Sequence, residues 1–206
     1  MPRHIYSLSA HVLLSLIRNW ARPRREDKLS GPIKLHIGGQ VAHPEWQIYD
    51  VRPGPLVDFV GDCADLSLFD DESVAEIYAS HVLEHLGYME ELPRSLREFH
   101  RVLVPGGRLR ASVPDLATLC ALIGDPVLNF QERFHVMRML FGGQSNRADF
   151  HKVGLNEAFL HDYLRAAGFV DVARTASFQL FEDSSTLVFK GRPVSLNLSA
   201  RKPAPA

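Results

Sequence analysis

The sequence predicts an α/β protein built as a single Rossmann-like, doubly wound, mostly parallel sheet. Three observations carry that prediction. From Ile33 onward, short apolar runs bounded by Gly, Pro and Asp recur along the chain. Later runs alternate with segments of helical periodicity, the pattern of strand-helix-strand units. A Pro105-Gly106-Gly107 turn delivers one such helix straight into the next strand. With 206 residues the chain is long enough for one domain with a sizeable core.

Residues 1–30 read as a separate N-terminal unit. Leu8, Val12, Leu13, Leu16, Ile17 and Trp20 share one stripe of an amphipathic helix over 7–20. A basic linker, Ala21-Arg22-Pro23-Arg24-Arg25, follows and is broken by proline. Residues 7–25 are suited to a weak peripheral membrane contact, and more simply to a helix docked on the core.

The main domain runs over 31–202, with a short tail at 203–206. Strands are expected at 33–37, ending in Gly38-Gly39; at 46–50, ending in Asp50; at 56–60, ending at Gly61-Asp62; and at 74–79. The stretch from Gly38 to Asp50 contains Pro44 and is too short for a full crossover helix, so the first helix is shortened or replaced by a loop. A helix over 91–103 places Leu92, Leu96, Phe99 and Leu103 on one face, with Pro93 tolerated in its first turn. The turn at 104–107 leads to a fifth strand at 108–113. Helices at 116–123 and 127–140 and the loop after them make a cover at about 116–155. Asn156 caps a helix over 156–167 that Gly168 ends, and strands follow at 169–172 and 194–200.

Composition excludes several classes. The formal net charge of -1 offers no bulk attraction to nucleic acid. No segment reaches the roughly 20 apolar residues of a membrane span. Cys63 and Cys120 form no Cys-x-x-Cys pair, which fits reduced thiols in a cytoplasmic protein.

The chemistry gathers at strand ends. Glycines at 38 and 39 let backbone approach a ligand, which in such folds lies outside the carboxyl ends of the strands. A carboxylate at Asp50 can accept both hydroxyls of a ribose, and one at Asp62 can accept from the exocyclic amine of adenine. After the fourth strand, His81-x-x-Glu84-His85 matches an inverted zinc-protease pattern. That pattern needs both histidines on a long helix. Here a strand runs straight into His81 and Gly87 stops the helical stretch, so no bound metal is expected.

Taken in order, Leu35 to Gly39, Asp50, Gly61-Asp62, Ser80-His81-Val82-Leu83-Glu84-His85 and Arg101-Val102-Leu103-Val104-Pro105-Gly106-Gly107 resemble the cofactor-binding half of class I S-adenosylmethionine-dependent methyltransferases. His151-Lys152-x-Gly154-Leu155-Asn156 and Leu164-Arg165-x-Ala167-Gly168-Phe169 are similar to that family's tail, so the likeness covers about 33–202. The resemblance implies S-adenosylmethionine as cofactor. Gly38 and Gly39 would pass its methionine part, Asp50 would hold the ribose, Asp62 with the backbone at Cys63 and Ala64 would read adenine, and Ser80 and His81 would border it.

It also implies methyl transfer to a small-molecule, glycan or lipid-precursor acceptor, at oxygen. His85 or His81, then His151, are the candidate general bases. Two positions depart from the family pattern: His36 stands where an acid is usual, and Gln40 where the third glycine falls. With the short first crossover, they motivate the alternative of a catalytically inactive binding or scaffold protein. A metal-dependent hydrolase is the weakest reading.

Overall fold

The computed structural model describes residues 32–205; the helix expected over 7–20 and the basic linker lie outside the described residues. Strands β1 (Ile33–Ile37), β2 (Gln47–Asp50), β3 (Phe59–Val60), β4 (Val74–Ser80), β5 (Leu103–Pro114), β6 (Val170–Thr175) and β9 (Ser195–Arg201) form one sheet in the order β3-β2-β1-β4-β5-β9-β6. The first five are parallel, and β9 runs antiparallel to both its neighbours. A separate hairpin pairs β7 (Val188–Phe189) with β8 (Arg192–Pro193).

The register explains the two faces. Side chains alternate along a strand, so Leu35 and Ile37 enter one core while His36 points to the other side. The first core lies under α1 (Glu91–Val102) and α4 (Glu157–Ala166), which contribute Leu92, Leu96, Phe99, Leu160 and Leu164. Helices α2 (Leu116–Ile123) and α3 (Phe130–Phe141) pack on each other around Leu119, Leu122 and Val136. Their starts follow sequence chemistry: Asp115 caps α2, and Asn129 with Glu132 forms a reciprocal capping box on α3.

The Pro-Gly-Gly turn is not a separate turn but an irregularity inside the long strand β5. Val74 pairs with Leu103 and Glu76 already pairs with Arg108, so the intervening residues bulge out. Gly107 is needed there, because a Cβ would sit 2.7 Å from the Val104 carbonyl oxygen.

The connection from β1 to β2 contains no helix, as its length predicts. The open face beside β1, β2 and β4 is filled from far away in sequence. Phe178, Leu180 and Phe181 fold over it and join Trp46 and Tyr78 in an aromatic cluster. Phe181 stacks on His36 at 4.1 Å, and the Tyr78 hydroxyl bonds Asp183 at 2.8 Å. Among the described residues, no helix is long and apolar enough to cross a membrane.

Candidate functional site

Parallel strands end on the same side of a sheet, so Gly38, Asp50, Gly61-Asp62 and Ser80 lie along one edge. The Gly38 N–H donates to the Tyr49 carbonyl at 2.8 Å and the Gly61 N–H to the Asp50 carbonyl at 3.0 Å, continuing the ladder to that edge. Gly38 has φ +70, a conformation that favours a residue without Cβ.

The space beside the two glycines is used by the protein itself. A Cβ on Gly38 would lie 2.5 Å from Val82 Cγ2, and one on Gly39 would lie 2.6 Å from the His36 ring. His36 is buried beneath Phe181 and its pKa falls to about 4 because burial penalises the charged ring. The glycine pair is therefore explained by internal packing as much as by a ligand.

Asp50 is buried to 9% exposure; one carboxylate oxygen accepts the Arg52 N–H at 2.7 Å and the other has no protein partner among the described residues. Asp62 is exposed, and its Oδ1 accepts the Ala64 N–H at 2.8 Å, which takes that backbone donor away from any base. The Cys63 side chain turns inward toward Ser95, and burial pushes its thiol up to about 11. What Cys63 offers to the strand-end edge is its backbone alone.

The next group is built around Glu84. It sits in the short turn Leu83–His85 that follows β4, and it is only 2% exposed. Neither carboxylate oxygen accepts a hydrogen bond among the described residues. Three histidines surround it: His81 Nδ1 is 3.3 Å and His151 Nε2 4.0 Å from Glu84 Oε1, and the His85 and His151 rings meet edge to face at 4.8 Å. The backbone of the loop carrying His151 is tied down by Lys152 and Val153, whose N–H groups both donate to the Glu84 carbonyl. His81 holds φ +54, an unusual conformation for a residue with a Cβ. Burial lowers the pKa of His151, against the pull of Glu84, so its imidazole is neutral near pH 7.

The structure thus brings His81, His85 and His151 together, although His151 is distant in sequence. It also adds residues that sequence reasoning missed. Ser195 and Asp183 support the far side of β4, contacting His81 and Tyr78. No local pattern around either one signals this role. In the cover, Phe130, Phe134 and Phe141 are exposed rather than lining an enclosed pocket. Arg133 binds the Leu128 and Asp125 carbonyls and Lys152 binds Glu91, so both serve the fold.

Comparison with known proteins agrees with this fold. Residues 45–111 match the family model described as a methyltransferase domain. No curated protein matches the chain in sequence. A SAM-dependent methyltransferase from Archaeoglobus fulgidus superposes with a TM-score of 0.53 at 16% identity, covering 94% of this chain and 95% of that one. The methyltransferase in complex with the Haloferax volcanii Trm112 activator gives 0.51 at 14% identity, covering 93% and 90%. Human N-acetylserotonin methyltransferase, solved in complex with SAM, gives 0.51 at 15% identity, covering 84% and 48%. The chain also spans 50% of the CurJ carbon methyltransferase. Residues 45–111 are thus similar to a methyltransferase domain, and the chain shares the fold of class I methyltransferases.

Proposed function

We propose that this chain transfers a methyl group from S-adenosylmethionine to a hydroxyl of a small molecule, glycan or lipid precursor in the cytoplasm. The observation that carries the reading is the row Gly38, Asp50, Asp62 and Ser80 at the carboxyl ends of four neighbouring parallel strands. At the nucleoside end the residues fit the cofactor. The free oxygen of buried Asp50 is suited to ribose hydroxyls, and Asp62 with the Cys63 N–H to adenine. At the methionine end the fit is tight, because Val82 and His36 fill the space beside Gly38 and Gly39. Val82 contributes only a side-chain tip, which a rotamer change can withdraw.

The bound cofactor would supply an electrophilic methyl group. The chain's own part is to align the acceptor and to receive its proton. His85, His81 and His151 meet around Glu84 just beyond β4, where one of the three imidazoles would take that proton. The helical cover at about 116–155 would close over the acceptor. A formal net charge of -1 argues against a nucleic acid as that acceptor.

A second reading, an inactive scaffold, is favoured by the filled glycine loop and by His36 in place of an acid. The two part in one experiment. Labelled SAM is incubated with the protein and cell extract, with Asp50→Ala as control. Label in an extract component, lost with Asp50→Ala, supports the enzyme; SAM binding without transfer supports the scaffold.

A further inference from the structure

We propose that Glu84, His85 and His151 form a binding site for a divalent transition-metal ion. The inference does not rest on methyl transfer, because it follows from the geometry of the cluster itself. One ligand atom from each of the three lies within 4.8 Å of the other two. Atoms bound at about 2.1 Å to one ion stand roughly 3 to 3.4 Å apart. Side-chain shifts on the order of 1 Å would therefore close the set.

The hydrogen bonds around the cluster fix which nitrogens of His85 and His81 carry the proton. His85 Nδ1 lies 3.1 Å from the Phe150 carbonyl, which only accepts, so Nδ1 carries the proton and Nε2 has the free lone pair. His151 turns Nε2 toward Glu84 Oε1. On the same carboxylate oxygen, His81 presents Nδ1. Its Nε2 lies 3.0 Å from Ser195 Oγ, whose single proton goes to the Ser184 carbonyl at 2.6 Å. Ser195 therefore accepts from His81 Nε2–H.

The result is a buried carboxylate whose two oxygens have no hydrogen-bond partner among the described residues, with three imidazoles around it. A buried carboxylate left without partners is disfavoured in a protein interior. A cation at the centre removes the conflict. The outer hydrogen bond from His85 to the Phe150 carbonyl is of the kind that orients metal-ligating histidines. Two imidazoles and one carboxylate suit zinc or ferrous iron, with positions left open for a water or a hydroxyl oxygen.

The test uses the full chain, stripped with a chelator and titrated with Co²⁺, with visible d–d absorption as the readout. One equivalent should bind with a visible band that Zn²⁺ displaces. Glu84→Gln, His85→Ala and His151→Ala should each lose the band, whereas His135→Ala, an exposed position on α3, should keep it. Wild-type protein that binds no stoichiometric Co²⁺ at micromolar concentration overturns the proposal, whatever the variants do. So does a band that survives Glu84→Gln and His151→Ala.

Discussion

His36 offers a quantitative test of how the open face of the sheet is covered. The ring is 3% exposed, stacked on Phe181 and edge-on to Tyr78. Burial lowers its pKa from 6.5 to about 4, with Asp183 pulling it up and His43 pushing it down. Between those values the unfolded chain binds a proton that the folded chain refuses. Stability from this group is therefore complete above the unfolded value and is lost as pH falls toward the folded one. By linkage the loss at pH 4.5 relative to pH 7.5 is about 2.5 kcal/mol.

Asp183 does not offset this. Burial raises its pKa, but hydrogen bonds from Ser185 and Tyr78 outweigh burial and hold it below the usual carboxylate value. The perturbation is His36→Leu, which keeps an apolar contact with Phe181 and removes the titration. Urea unfolding at the two pH values gives the double difference, in which other titrating groups cancel. The wild type should lose about 2.5 kcal/mol more than the variant on acidification. An equal loss in both proteins would mean that His36 is protonated or hydrated in the fold, and that the segment around Phe181 does not seal this face.

Two further predictions follow from close contacts. Gly39→Ala should cost about 1 to 3 kcal/mol, because its Cβ would meet the His36 ring at 2.6 Å; thermal melting reads this, and combining it with His36→Ala should recover most of the loss. Arg101 on α1 binds the Glu98 and Asp71 carboxylates and the Phe69 and Leu66 carbonyls, pinning the loop after Asp62. Arg101→Met should leave the core folded while raising hydrogen exchange across residues 65–72.

The sequence made the central strands and α1 legible because their periodicity is strong and their partners are local in the fold. Glycine and aspartate at strand ends were legible for the same reason, since parallel strands must finish on one side. The segment from Phe178 to Ser185 was not legible. It has no period, and its contacts with His36 and Tyr78 join positions more than a hundred residues apart along the chain. The pattern His81-x-x-Glu84-His85 was readable as a spelling but not as a site. Only the fold supplies His151 to Glu84, and only hydrogen bonds to Ser195 and Phe150 fix the tautomers. The long helix that a zinc protease would need is absent from this stretch, where a short turn takes its place. The metal proposed above uses a different third ligand and a different scaffold.

The central claim is that the strand-end row still holds a methyl donor despite its crowded glycine loop. Calorimetric titration of the full chain with S-adenosylmethionine and with its demethylated product tests this most directly, run beside Asp50→Ala. The account predicts saturable binding of both ligands to one site, weakened by about tenfold or more when the charged hydrogen-bond acceptor for the ribose is removed. Absence of heat and of competition at millimolar ligand, or affinity unchanged in Asp50→Ala, would contradict it.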